Sequence, residues 1–408
     1  MSSVGKLEVG VVGCGVAGQA AATLLADEGH RVTVFERFAE PRPSGAGLLL
    51  QPTGLAVLRR LGLDEQAERL GARIDGLQGL NHLKHTVLDL AYADLHPAAF
   101  GLGIHRGSLF ELLHGRLRQS TARLITDAEI VDVVRDGGRA TVVDKAGTRH
   151  GPFDLVVAAD GAHSRLRERL MPQARAPLYP WGCIWATVAD SRDMISAPAM
   201  LQQRVRGTTT MMGLLPVGQR RVTLFWSLPA AALEAGRPID LEAWRFEALE
   251  LWPEAVALIE QAANAGDFAR ATYRHVALPH WNDGPVLFIG DAAHGTSPQL
   301  GQGANLGLLD AHALSRALAA SDDLVAALAL FARRRGPPSR FYSQASHLLT
   351  PFFQSNQPLL GLARDALMAV ACRAPGLRPM MTSTLAGLRR GWLSADALDA
   401  EGRYPLDP

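Results

Sequence analysis

Gly13-Cys14-Gly15-Val16-Ala17-Gly18 lies between a short apolar run, Glu8 to Val12, and a helical segment that continues through Gly29. No other feature of the chain limits its fold so tightly. With a second apolar run, Arg31 to Glu36, these pieces make a βαβ unit, and a βαβ unit requires a parallel sheet. Gly13 permits the tight turn, Gly15 lets the backbone approach a pyrophosphate, and Gly18 lets the helix pack closely on the strand. The unpaired N–H groups at the helix start, Val16 and Ala17, then face the phosphates. Glu36 closes the second strand about 20 residues after the turn, where a carboxylate accepts from a ribose 2′-OH. Its charge repels a 2′-phosphate, so the tightly held dinucleotide is expected to be FAD or NAD and not NADP.

Two more apolar runs end in aspartate. Leu155 to Ala159 stops at Asp160-Gly161, and Pro285 to Ile289 stops at Gly290-Asp291. Both carboxylates thus fall at the carboxyl ends of strands, where ligands collect in open α/β sheets. Pro298, Gly301, Gly303 and Asn305 follow in an extended loop that is expected to open a helix at about Leu306, leaving its N-terminus free to face an anion or an electron-rich ring. Segments suited to phosphate, ribose and ring in one chain favour FAD.

The remaining features narrow the class. A chain of 408 residues with 48% hydrophobic content is long enough for two or three packed lobes. Its 41 basic and 40 acidic residues leave a net charge of +1, which is not the footprint of a nucleic-acid binder. Cys14, Cys183 and Cys372 are odd in number and lack metal-ligand spacing, which fits a reducing cytoplasm. His82 and His85 have no third clustered ligand, so no metal centre is expected. The glycine-broken apolar start is no secretion signal. Leu359 to Cys372 contains Arg364 and Asp365 and is too polar and short to span a bilayer.

Between the second and third motifs the pattern changes. Trp181 to Ala189, Met200 to Arg206, Thr208 to Leu215 and Arg221 to Leu228 read as antiparallel strands, followed by one amphipathic helix from Leu241 to about Ala263. The fold expected is α/β: a Rossmann-like FAD-binding domain with a mixed sheet and a βαβ start, an inserted antiparallel-sheet substrate domain, and a C-terminal helical segment. The FAD-binding domain takes residues 1–72, 101–176 and 276–345, the substrate domain 73–100 and 177–275, and the helical region 346–408.

On these motifs the chain resembles the class A, single-component FAD-dependent aromatic hydroxylases over residues 4 to about 345. The resemblance implies that Gly15, Glu36 and Arg37 serve the ADP half, with Arg42 adding a phosphate contact. Arg106, in Ile104-His105-Arg106-Gly107-Ser108-Leu109, matches the arginine that contacts FAD. Asp160 matches the residue serving FAD and, indirectly, the transient nicotinamide. Asp291 matches the ribityl contact, and Gly301, Gly303, Ala304 and Asn305 run along the isoalloxazine. The implied reaction is NADH- or NADPH-dependent hydroxylation of a small aromatic or other electron-rich molecule by dioxygen, through a flavin hydroperoxide. A monomer or homodimer would suffice.

Substrate-side residues are less determined. Pro298 either turns its carbonyl to the ring where oxygen is delivered or only shapes the loop. Alternation along the strand from Thr208 puts Thr210 and Met212 on one face, the pocket wall if that face looks inward. Trp185, Phe225 and Trp226 suit an aromatic wall or a core equally. Arg204 falls near the carboxylate-binding arginine of the benzoate hydroxylases, or else sits on the surface. Other readings are a flavin-dependent halogenase, whose Trp-x-Trp-x-Ile-Pro signature is absent, an oxygen-independent flavoprotein reductase or dehydrogenase, and a non-enzymatic FAD-binding protein.

Overall fold

A computed structural model describes residues 4–42, 46–234 and 237–406. Five parallel strands form its centre in the order Val286–Phe288, Leu155–Ala158, Glu8–Val12, Arg31–Phe35 and Arg123–Ile125, with Asn282–Asp283 antiparallel at one edge. Val9, Val11, Leu155 and Val157 are wholly buried, as expected of strands covered on both faces. Helix Val16–Asp27 packs on this sheet, and helix Gly303–Ala319 packs on that helix. Ala17 is the contact point: side chains added at Gly290 and Gly307 would stand 3.0 and 3.1 Å from its Cβ. The hexad and the third motif therefore meet directly.

A seven-stranded sheet lies apart from the first, in the order Ala269–Arg274, Leu178–Ala189, Arg221–Pro229, Thr210–Pro216, Met200–Arg206, Gly76–Asn81 and Thr86–Ala91. It is antiparallel except for one parallel joint between Met200–Arg206 and Gly76–Asn81. That joint arises because Gly76–Asn81 enters from a distant part of the chain. The expected single helix after Leu241 is two, Leu241–Leu251 and Val256–Ala265. Pro253 between them has no N–H to continue the first and opens a short 3₁₀ turn. Both helices cover one face of the seven-stranded sheet, burying Met212, Leu214, Trp226, Trp244 and Trp252 in one cluster.

A small sheet of Gly47–Leu50, Gly101–His105 and Ala72–Ile74 joins the two large ones. A Cβ on Gly47 would lie 2.6 Å from Thr223 Oγ1, and one on Gly103 would lie 2.0 Å from the Pro216 carbonyl oxygen. The seven-stranded sheet is thus pressed against the FAD-side strands at its Pro216–Thr223 end. After helix Leu324–Leu349, the chain finishes in helices Pro358–Ala371 and Leu377–Leu385. Among the described residues no helix is long and apolar enough to cross a membrane.

Candidate active site

The three glycines of the hexad meet different surroundings. Gly13 has φ +104° and lies so close to the next strand that a Cβ would be 2.4 Å from the Ala159 oxygen. A Cβ on Gly18 would be 2.0 Å from the Gly13 oxygen, which locks the helix onto the turn. At Gly15 nothing stands within 4 Å. That open side faces a cavity of about 420 Å³, within the usual range for small-molecule sites.

Gly13, Gly15, Val16, Ala17, Glu36, Arg37, Arg42, Arg106, Asp160, Asp291, Gly303 and Ala304 all line this cavity. Of the positions expected to hold the dinucleotide, Gly18, Gly301 and Asn305 are outside its lining. Glu36 accepts from the Cys14 N–H at 3.0 Å and the Phe38 N–H at 3.1 Å, which fixes its carboxylate at the rim. Burial and that charge push the Cys14 thiol up to about 12, so it stays protonated. Arg37 lies over the Phe38 ring at 4.6 Å, and Arg42 is an exposed partner of Glu40 at 2.7 Å. Arg106 opens helix Arg106–Arg118, capped by His105, whose Nδ1 accepts from the Gly107 N–H at 3.1 Å.

Asp160 Oδ1 is buried with no hydrogen-bond partner, and burial raises the pKa of this carboxyl. Arg167, itself buried, donates to the carbonyls of Ala162 at 2.7 Å and Ala292 at 3.0 Å, stapling the Asp160 turn to the Asp291 turn. Asp310 does similar work from below. It accepts from the Gly290 N–H at 2.9 Å, contacts His294 Nε2 at 2.6 Å, and receives Arg335 Nε at 2.7 Å. Sequence reasoning assigned these supports no role, because their partners are main-chain groups and side chains remote in sequence.

The third motif differs from the extended loop expected. Asp291–His294 is one helical turn, Pro298–Leu300 a 3₁₀ turn, and the following helix starts at Gly303, about one turn before Leu306. Gly301, at φ +63°, ends the 3₁₀ turn in the left-handed conformation that glycine tolerates. Pro298 is exposed, but its carbonyl accepts the Gly301 N–H at 2.9 Å, so the turn already uses that oxygen. Asn305 is wholly buried. Its side chain turns away from the cavity to bind the Gln51 N–H, the Leu49 carbonyl and the Gly301 carbonyl.

The substrate-side expectation fails by one residue of register. Met212 and Trp226 lie opposite each other under the two covering helices, sealed from the cleft, and Thr210 is buried on a strand hidden on both faces. Alternation cannot say which face looks inward when both are apolar. Arg204 is on the helix-covered side as well, its guanidinium 4.2 Å from the Trp252 ring centre, neither in the cleft nor free in solvent. The opposite face carries Met211, Gly213, Phe225, Trp185 and Cys183. Phe225 lies across Gly213, where a Cβ would be 1.8 Å from its ring, and its centroid is 5.3 Å from that of Trp185. Both rings are only partly buried.

On that face the Tyr273 hydroxyl is 2.7 Å from Cys183 Sγ. Burial raises the Cys183 thiol to about 12 and holds Tyr273 well above its usual range, although the Arg106 charge lowers both. Arg106 therefore acts on the sheet face as well as lining the cavity. A cavity that gathers the glycine hexad, Glu36 and both strand-end aspartates defines the class: a dinucleotide-binding α/β protein.

The FAD binding domain family matches residues 6–323. Aurachin C monooxygenase/isomerase of Stigmatella aurantiaca is 27% identical over 368 residues, covering 89% of this chain and 94% of that protein. The 3-amino-4-hydroxybenzoate 2-monooxygenase of Streptomyces cremeus is 32% identical over 74% of this chain and 76% of its own length. Among solved structures, 2-methyl-3-hydroxypyridine-5-carboxylic acid oxygenase superposes with TM-score 0.79 at 23% identity, covering 95% and 99% of the two chains, a likeness of fold. Pseudomonas aeruginosa PqsL, in complex with 2-aminobenzoylacetate, gives TM-score 0.76 at 26% identity over 88% and 99%. The chain belongs to the FAD binding domain family, within the class A FAD-dependent hydroxylases. It is a monooxygenase that uses FAD and takes electrons from NAD(P)H. The relatives support this reading over the halogenase one.

Proposed function

We propose that the protein hydroxylates an electron-rich aromatic lying between the Trp185–Phe225 face and the Ser297–Gly301 turn. The observation that carries this is the closeness of Arg106 to the sheet: it lines the dinucleotide cavity and its N–H donates to the Ala46 carbonyl at 2.7 Å, and a Cβ on the adjoining Gly47 would lie 2.6 Å from Thr223 Oγ1, on the same strand face as Phe225.

The residues present fit FAD. Gly15 leaves open space where a side chain would block a pyrophosphate, and Asp160 Oδ1 is a buried acceptor lacking a donor. The helices starting at Val16 and Gly303 supply unpaired N–H groups toward negative or electron-rich groups. Val16 and Ala17 would hold the pyrophosphate, Glu36 the ribose, with Arg37, Arg42 and Arg106 neutralising the phosphates. Asp160 and Asp291 would hold the ribityl side, and the backbone of Gly301, Gly303, Ala304 and Asn305 would run beside the ring. Bound there, FAD supplies electron transfer from NAD(P)H and the activation of dioxygen.

The chain's own work is to hold the substrate flat and dry. Trp185 and Phe225 offer ring faces for stacking, and Met211 adds an adaptable apolar wall. Tyr273, kept protonated by burial, presents a hydroxyl that orients a substrate oxygen or nitrogen; it is no base at neutral pH. Pro298 shapes the turn facing them. The seven-stranded sheet thereby acts as the substrate lobe, in line with residues 73–100 and 177–275.

The test is a screen of hydroxy- and amino-substituted bicyclic aromatics with the yellow holoenzyme, following NAD(P)H oxidation and product mass under air and under nitrogen. The reading expects stimulated oxidation and a gain of one oxygen only in air. The same product under nitrogen would overturn it.

A further inference from the structure

Helix Pro358–Ala371 is built inside out for a water-facing helix. Its charged residues point inward: Arg364, 1% exposed, donates to the carbonyls of Gly207 at 2.8 Å and Phe352 at 3.0 Å and pairs with Asp365 at 2.7 Å. Asp365 in turn accepts from Asn81 Nδ2 at 2.9 Å. The outer face is apolar, with Leu359 78%, Leu362 67%, Leu367 66% and Val370 64% exposed. Leu359, Leu362 and Val370 fall on one stripe at helical spacing, Leu367 beside it.

The segment holding this helix is also the most basic part of the chain. Between Leu324 and Leu393 stand nine arginines and a single acid, Asp365; Arg335, Arg364, Arg378 and Arg390 pair with Asp310, Asp365, Asp94 and Asp396. Arg333, Arg340 and Arg373 are exposed. The preceding helix, Leu324–Leu349, differs in carrying exposed arginines beside the exposed Leu348. Trp392 donates to Gln344 at 3.1 Å and leans on Phe341, and Leu348 and Leu393 stand exposed.

Two surfaces could cover such a face. A second copy in a twofold dimer would bring one basic segment against another, and like charges oppose that. An anionic bilayer avoids that repulsion, since leucines enter the headgroup–acyl boundary and each nearby arginine gains from the negative surface. We propose that helix Pro358–Ala371 is a lipid-docking surface by which the protein lies on an anionic membrane without crossing it.

Flotation of the full-length holoenzyme tests this, with vesicles of phosphatidylcholine alone or with about one third phosphatidylglycerol. The protein is expected to float with the anionic vesicles, less so at high salt. The double substitution Leu362→Glu and Leu367→Glu should cut the bound fraction about tenfold or more. Both side chains are exposed, so flavin content and melting temperature should stay as in the wild type. Three results would overturn the proposal: wild type that ignores both vesicle types, a double variant that floats equally well, or a dimer that the substitutions dissociate without changing flotation.

Discussion

The Asn305 carboxamide accepts the Gln51 N–H at 2.8 Å and donates to the Leu49 carbonyl at 3.1 Å, fastening the start of helix Gly303–Ala319 to the strand Gly47–Leu50. Replacing Asn305 with Ala leaves both main-chain groups buried without partners, at about 1–3 kcal/mol each. The variant should therefore melt several degrees lower. Because the same residue holds the Gly301 carbonyl, FAD affinity should fall about tenfold or more, read by flavin fluorescence titration.

Acid stability should report on Asp310. Burial pushes its carboxyl up, but His294, Arg335 and the Gly290 N–H more than offset this and hold it below the usual range. A carboxyl with a depressed pKa in the folded state adds stability above its unfolded value of about 4, and that stability is lost as pH falls through the folded value. Thermal melts from neutral pH downward should show this loss below about pH 4. Asp310→Asn should flatten that slope and cost about 3–5 kcal/mol at neutral pH, because Arg335 would be left buried without its partner.

Neighbouring residues on one strand should behave oppositely. Trp226→Ala opens a cavity beneath the covering helices and should cost about 3–5 kcal/mol of stability. Phe225→Ala, on the cleft face and partly exposed, should cost less but raise KM and divert NADPH or NADH consumption to peroxide. Urea melts and product-to-NAD(P)H ratios separate the two outcomes.

Tyr273→Phe removes the hydroxyl beside Cys183 that is proposed to orient the substrate, while keeping the ring. Its kcat/KM is expected to fall about tenfold or more with flavin content unchanged. Arg204→Ala should leave kcat/KM within about twofold, since it gives up the contact with Trp252, worth about 0.5–1 kcal/mol, and a hydrogen bond to the Gln203 carbonyl, both away from the cleft. Steady-state kinetics on a substrate found by the screen provide both readings.

What the sequence disclosed follows from where the information lies. Gly13, Gly15, Glu36, Asp160 and Asp291 act through backbone shape or at fixed strand ends, so local spacing reveals them, and the structure gathers them on one cavity. The choice of face along Thr210–Pro216 was hidden because every residue of that strand is buried. Asn305 is assigned to the ring because the resemblance carries the whole Gly301–Asn305 loop along the isoalloxazine. Its true partners, Leu49 and Gln51, lie more than 250 residues earlier, and only the fold brings them together. Arg167, close after Asp160 in the chain, and Asp310 carry no assigned role for the same reason: the Ala292 carbonyl and Arg335 that they hold meet them only in the fold.

The central claim is that dioxygen, activated in the cavity edged by Arg106 and Asp291, gives one atom to an aromatic held on the Trp185–Phe225 face. Turnover under ¹⁸O₂ with NAD(P)H, followed by mass spectrometry of the product, tests it most directly. The account predicts one ¹⁸O atom in each hydroxylated product. Product oxygen drawn from water, or substrate oxidised with no oxygen gained, would contradict it.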